Sequence, residues 1–461
     1  MPSPQAPHPS PDPAEPEPAG SPRPAATGPG PDIFVFGLDS FHYDQLRTIR
    51  EPAGARFHEL LSYEESVHTE RFPVPEMLAR SEQVLRHFAG TVDGIITYWD
   101  FPTSTFVPIL RERLGQPGPS LEAVLKLEHK YWARCEQRAV VPELIPPFAA
   151  VDPFAVDPAA DLTVPYPFWI KPIKAHSSHL GFLVRNETEL DHALEKIRAG
   201  LHRFAQPFNE ILAHADLPPH IAPIDGDHCI VEGLISQGHQ CTLEGYVHGG
   251  RTVVYGVVDS FRQRRHRSSF QRYQYPSRLP RRVQARMIRA ARKVMERTGY
   301  DEGPFNMEFY WSRAHDRLRL LEVNARCSKS HSPLFQFVDG ASHFQVPVCL
   351  SLGRDPAFPH REGGHRLAAK FMPRLFTDGT VTRVPGPAER AALRARFPEA
   401  LLRVHVEEGQ RLSHLRFQDS YSYEIADLFL GADHQKALLA RYHEAMDLLG
   451  FRIDHRAPVF A

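Results

Sequence analysis

Two short segments hold most of the residues able to do chemistry. Phe305-Asn306-Met307-Glu308-Phe309 and Leu320-Leu321-Glu322-Val323-Asn324-Ala325-Arg326 are largely apolar runs interrupted by polar side chains. Side chains alternate between the faces of a strand, so Glu322, Asn324 and Arg326 share one face, and Glu308 can join them from a neighbouring strand. Two carboxylates and a carboxamide oxygen suit magnesium, a hard cation that takes oxygen ligands and bridges to phosphates. A solvated sheet face with an ordinary Glu–Arg pair is the plainer reading of the same pattern.

Lys171 lies at the end of the run Phe168-Trp169-Ile170-Lys171-Pro172, just before the polar loop His176-Ser177-Ser178-His179-Leu180-Gly181. A strand lysine can hold phosphate oxygens as a point charge while loop N–H groups cover them. The loop is not glycine-rich, and a surface hairpin is the plainer alternative. Lys130, in Glu128-His129-Lys130-Tyr131-Trp132, is a second candidate phosphate cation, although a lysine on an amphipathic helix is usually only a solvated charge. Val231-Glu232-Gly233-Leu234-Ile235, followed by Thr242-Leu243-Glu244-Gly245, can act as a hinge with free backbone groups for a purine edge; a plain strand end explains it as well. Phe261-Arg262-Gln263-Arg264-Arg265-His266-Arg267 can grip phosphate or a substrate carboxylate, through Arg264 and Arg267, or be an exposed basic loop. Ser328, Ser330 and His331 follow Arg326 closely enough to line an acceptor pocket, or to stabilise a turn.

The elements that must position these residues alternate between strand and helix. Ile33–Gly37 and Gly94–Tyr98 read as strands around a helix at Pro75–Phe88, which predicts a small α/β domain with parallel pairing. A helix is predicted to start at Tyr43, and another to run from Leu121 to about Arg138, capped by Ser120. The proline-rich Val140–Pro167 reads as a connector. Strands at Phe168–Pro172 and Phe182–Val184 flank the polar loop, and Thr188 is placed to cap a helix at Glu189–Phe204. Strands follow at Cys229–Val231, Cys241–Val247 and Val253–Asp259, the last two joined by a Gly249-Gly250 hairpin turn. Arg281–Thr298 is a helix ended by Gly299. Phe305–Trp311 and Leu318–Val323 form an antiparallel pair. Short strands from about Ala368 precede a helix at Asp433–Leu449.

Composition narrows the function classes. The chain has 461 residues, is 42% hydrophobic and carries a formal net charge of −1. That balance makes no electrostatic case for nucleic acid or an anionic membrane. No run reaches the ~18 apolar residues that span a bilayer. The absence of an apolar leader and the five scattered cysteines, without a C-x-x-C pair, point to a reducing cytoplasm. Residues 1–31, rich in Pro, Ala, Gly and Ser, read as a disordered tail. Nine lysines stand against 45 arginines, so a lysine at a motif position is more informative than usual.

Taken in order, the pieces resemble the ATP-grasp family: Lys130, then Lys171 with its loop from Ser177 to Gly181, then Glu232, Glu308 and Glu322-Val323-Asn324-Ala325-Arg326. The resemblance implies an α/β ATP-grasp fold with an α+β lid. It comprises a small N-terminal parallel α/β domain at 32–119, an ATP-grasp domain at 120–365 with its lid at about 166–235, and a C-terminal α+β subdomain at 366–461. It implies ATP bound by Lys130, Lys171, Ser177, Ser178, Gly181, Glu232 to Ile235 and Glu244. Glu308, Glu322 and Asn324 would hold Mg2+ or Mn2+. Lys171 and Arg326 would act on the transferring phosphoryl group. The implied reaction activates a small carboxylate as an acyl phosphate and couples it to an amine, releasing ADP and phosphate. A biotin-carboxylase-like enzyme using bicarbonate and a non-catalytic ATP-binding protein are the alternatives. A homodimer is compatible with the resemblance; a nucleic-acid or membrane partner is not expected.

Overall fold

The computed structural model describes residues 30–160, 162–175, 180–236, 238–262, 269–415 and 422–455. Most of the tail predicted at 1–31 therefore lies outside the described residues.

The first sheet has three parallel strands, with Asp32–Val35 between Arg56–Glu59 and Gly94–Ile96. Ile33, Val35, Ile95 and Ile96 are completely buried. A parallel sheet covered on both faces needs such unbroken apolar runs. Just past the central strand, Gly37 adopts a left-handed φ of 61°. Its carbonyl accepts from Trp99 Nε1 at 3.0 Å. A Cβ at Gly37 would lie 2.7 Å from that nitrogen, so no other residue fits without displacing the indole. The carboxyl ends of these strands thus present Asp39, Trp99 and Asp100 to one crevice, where open α/β sheets place their ligands.

The single helix predicted over 121–138 is two helices, Leu121–Glu128 and Lys130–Val140, broken at His129. The His129 backbone is extended (ψ 101°), its Nδ1 accepts from Trp132 N at 3.2 Å, and its Nε2 donates to Ile224 O at 2.7 Å. Burial holds this imidazole neutral, with its pKa lowered to about 4. The break moves Lys130 from mid-helix to the first turn of a new helix.

The predicted connector Val140–Pro167 contains a strand, Phe148–Val151. It is the outer member of a four-stranded sheet with Cys229–Gly233, Phe168–Pro172 and Phe182–Val184. The lid sheet therefore begins well before residue 166. Its first helix, Glu187–Gly200, is capped by Asn186 rather than Thr188. A second helix, His202–Leu212, was not predicted as separate.

The largest sheet has eight strands, all antiparallel. In spatial order they are Arg317–Asn324, Gly303–Ser312, His239–His248, Arg251–Arg262, Phe270–Tyr275, Leu367–Phe371, Ala426–Ala432 and Leu401–Val404. It runs without interruption across residue 366, since Tyr273 pairs directly with Lys370. Gly249 (φ 56°) and Gly250 (φ 73°) make the predicted hairpin turn, whose two positive φ values match the strand twist. Helix Arg281–Thr298 buries Val283, Met287, Ala290, Ala291, Val294 and Met295, and ends at Gly299 as predicted. No helix among the described residues is long and apolar enough to cross a membrane.

Gly37→Ala adds a side chain to a left-handed backbone and pushes on Trp99. It is expected to lower unfolding stability by about 2 kcal/mol or more. Denaturant titration reads this directly; an unchanged midpoint would mean that the turn relaxes freely.

Candidate active site

The two segments singled out in the sequence are neighbouring strands, and their register places the candidate metal ligands together. Glu308 pairs with Glu322 and Asn306 with Asn324. Residues directly opposite each other on antiparallel strands share a face, with Cβ atoms about 5 Å apart. Among the described residues no lysine or arginine forms an ion pair with either carboxylate. Burial first, and the Glu322 charge second, push the Glu308 carboxyl up to about 7. Gln240 Nε2 donates to Glu308 at 2.8 Å, and Arg262 Nε fixes that amide by donating to Gln240 Oε1 at 2.8 Å. Asn324 Nδ2 donates to Asn306 Oδ1 at 2.9 Å, and Asn306 Nδ2 donates to the Arg326 carbonyl at 3.2 Å. With its nitrogen so engaged, Asn324 has its oxygen left for a cation. A pair of adjacent carboxylates without a protein counter-ion, beside an oriented amide oxygen, fits a hard divalent ion.

Of the candidate phosphate cations, Lys171 lies on the strand Phe168–Pro172 and Lys130 at the start of the helix Lys130–Val140. Lys171 Nζ lies 2.6 Å from Glu232, which also binds Arg134. Burial opposes ionisation of Glu232, but Arg134 and Lys171 outweigh it and hold its pKa at about 2. Arg134 continues to the carbonyls of Leu320 (3.1 Å) and Leu321 (2.6 Å), on the strand that carries Glu322. Sequence reasoning missed Arg134, because one arginine among 45 on a helix carries no signal. Lys130 Nζ donates to the Ala175 carbonyl at 2.8 Å. Burial, then the charges of Lys171 and Lys174, lower its pKa to about 7. Lys174 is itself a buried partner of Glu128, which also accepts from Ser104. Ser177 and Ser178 lie outside the described residues. Gly181 packs on the Trp169 ring, where a Cβ would meet Cζ2 at 2.9 Å. After Gly233 the strand ends, and Leu234 is exposed, with Ile235 half-buried behind it.

Arg326 donates through Nε to Asp100 at 2.8 Å, with a second guanidinium nitrogen at 2.6 Å, joining the metal strand to the N-terminal domain. Glu244, expected among the nucleotide contacts, is instead fully buried. It accepts from His331 Nδ1 at 2.7 Å and from Ser328 N at 3.4 Å. Burial raises its pKa to about 7 and lowers that of His331 to about 3. His331 is also buried. Ser328 and Ser330 are half-buried; His343 Nε2 donates to the Ser328 carbonyl at 2.9 Å, and Lys370 Nζ donates to Ser330 Oγ at 3.3 Å. Arg264 and Arg267 lie outside the described residues.

Because Glu308 is protonated below about pH 7, a divalent ion competes with a proton there. Its folded pKa lies above the ordinary 4.5, so ionisation removes stability as pH rises from 4.5 towards 7. The rise in Tm caused by Mg2+ is therefore expected to be larger at pH 8 than at pH 6. Thermal unfolding with and without the ion measures it, and the opposite order would remove Glu308 from the ligand set.

Residues 164–332 match the family model of the ATP-grasp domain. No curated protein matches the chain by sequence. Among solved structures, the L-amino acid ligase from Bacillus licheniformis is similar at a TM-score of 0.67 and 16% identity, over 94% of this chain and 100% of that one. A biotin carboxylase from Campylobacter jejuni is similar at 0.61 and 16%, over 92% of each chain. The biotin carboxylase domain of the Hydrogenobacter thermophilus 2-oxoglutarate carboxylase, solved with MgADP, ADP and bicarbonate, is similar at 0.61 and 14%, over 92% of this chain and 91% of that one. The matched segment contains Lys171, Glu232, Glu308, Glu322, Asn324 and Arg326, and the solved structures cover 92–94% of this chain. Residues 164–332 are therefore an ATP-grasp domain, and the chain as a whole has the ATP-grasp fold.

Proposed function

We propose that the protein is an ATP- and Mg2+-dependent carboxylate–amine ligase that forms an acyl phosphate and releases ADP and phosphate. The observation that carries this reading is the pairing of Glu308 with Glu322, two adjacent carboxylates in no ion pair among the described residues, with Lys130 near Glu322 and Lys171, and Arg326 near Glu308. Bound Mg2+ would neutralise phosphate charge and orient the terminal phosphoryl group. Lys130 and Lys171 would balance the remaining phosphate charge. The backbone beyond Gly233 leaves the lid strand where an adenine edge can dock.

The carboxylate oxygen of the acid attacks the terminal phosphorus, and the bond from that phosphorus to the bridging oxygen breaks, leaving ADP. The amine then attacks the acyl carbon and phosphate departs, with the amine proton passing to solvent. Such chemistry asks the protein for positioning and charge neutralisation above all. Arg326, fixed by Asp100, would steady the acid and the acyl phosphate. The similarity to an L-amino acid ligase supports amino acids or similar small acids as the first substrates to try.

The test is ADP and phosphate release over a matrix of amino acids and amines, with mass detection of products. Release that requires both an acid and an amine is expected. Glu322→Gln should reduce it at least ~100-fold, the scale of losing one preorganised electrostatic contact. ADP release that depends on bicarbonate and biotin would favour a carboxylase; nucleotide binding without turnover under any condition would sink the enzyme reading.

A further inference from the structure

A second group of charged side chains gathers on the N-terminal-domain side of the loop that follows Arg326, where Lys329 feels the charges of Asp100, Lys370, Arg326 and Arg403. Asp39 and Trp99 reach it from the carboxyl ends of the parallel strands. Lys329 comes from the loop, and Lys370, Asp427 and Arg403 from the last three strands of the large sheet. The charges pair almost completely. Arg326 is bound to Asp100, and Arg403 Nη2 lies 3.4 Å from Asp39. Lys370 Nζ lies 2.8 Å from Asp427, and Arg374 binds Glu424. His405 Nε2 adds a contact to Asp427 at 3.2 Å. The cluster of His405, Glu424 and Asp427 is thus already balanced by cations and offers nothing to a metal.

Lys329 is the exception. Its ammonium lies 4.3 Å from the centre of the Trp99 ring, and no carboxylate pairs with it among the described residues. A ring face compensates a half-buried ammonium less than an anion does. Burial, then Lys370, Arg326 and Arg403, working against Asp100, lower its pKa to about 8. The site is also rigid. Trp99 is held by the Gly37 carbonyl, and the loop is anchored from beneath by Glu244 and His343. One uncompensated positive charge calls for one negative charge, which suits a carboxylate better than a phosphate dianion.

We propose that Lys329 binds a non-reacting carboxylate carried by one of the two organic substrates, and so sets which acids or amines the enzyme accepts. This assignment rests on the ligase reading above. Substrate pairs that differ by one carboxylate test it: L-glutamate against L-glutamine, and L-alanine against L-alaninamide, each offered as acid or as amine where its groups allow. ADP release is followed for wild type, Lys329→Met and Lys329→Arg. Wild type is expected to prefer the member with the extra carboxylate, and the position at which the preference appears identifies which substrate carries it. Lys329→Met should raise the KM of that member about 10- to 100-fold, leave the KM of ATP unchanged and abolish the preference; Lys329→Arg should restore part of it. Equal effects on the charged and neutral members, or a fall in kcat alone, would overturn the proposal while leaving the ligase reading intact. If no pair releases ADP, thermal unfolding in millimolar L-glutamate or L-glutamine reads the Lys329 site alone. Stabilisation by glutamate that Lys329→Met removes would keep the assignment; equal responses of wild type and variant would end it.

Discussion

Glu308 and Glu322 face one another in register on adjacent strands, and no lysine or arginine among the described residues forms an ion pair with either. Two charges about 5 Å apart, at an effective dielectric of about 20, repel by roughly 3 kcal/mol. Burial and the Glu322 charge raise the Glu308 carboxyl to about 7, so a proton relieves that repulsion and a divalent cation can take the proton's place. Arg262 locks Gln240 so that its amide donates to Glu308, while Asn306 locks Asn324 so that its nitrogen is occupied. Each neighbour thereby fixes where a ligand oxygen points. Positioning of this kind, from supporting hydrogen bonds rather than from the ligands alone, separates a metal face from a merely acidic one.

The lid is tied to this face through one buried junction. Glu232 joins Lys171 of the lid to Arg134 of the helix, and Arg134 reaches the carbonyls of the Glu322 strand. Losing one partner of such a buried network leaves an uncompensated charge, typically a loss of about 3–5 kcal/mol. The same junction places Lys171 next to an anion of the protein when no nucleotide is present. Phosphate would then find a cation already charged and already oriented. Lys130 complements it from the far side: the break at His129 aims its ammonium at the carbonyl of Ala175, at the mouth of the loop that follows Lys171.

What the sequence made legible is what local periodicity controls. The alternation around Glu308 and Glu322 predicted a shared face, and Gly249-Gly250 and Gly299 marked a turn and a helix end that the structure reproduces. Features set by distant partners stayed hidden. His129 interrupts a good helical pattern because its ring is held by Ile224, almost a hundred residues away. Phe148–Val151 looked like connector because prolines surround it, yet it finds an edge to pair with at Cys229–Gly233. Glu244 has the residue type of a ligand contact but lies beneath the sheet surface, and residue type alone does not report depth. Arg134 and Asp100 act only through partners that the sequence places far from them.

The scarcity of lysine acquires a physical meaning from the same geometry. Five of the nine lysines fall into two interacting groups, Lys130 with Lys171 and Lys174, and Lys329 with Lys370, whereas arginines take the long reaches of Arg134, Arg326 and Arg374. A guanidinium stays charged at any ordinary pH, and its fork suits fixed carboxylates and carbonyls. An ammonium can shed its proton when burial and like charges make charge costly. Lys130, lowered to about 7, and Lys329, lowered to about 8, are in that position. With arginine at these two positions, several fixed positive charges would stand against one another. With lysine, the repulsion relaxes by loss of a proton, and an arriving anion restores the charge as it binds. The contrast holds for Lys130 and Lys329, which pair with no carboxylate among the described residues, whereas Lys171, Lys174 and Lys370 are bound to Glu232, Glu128 and Asp427.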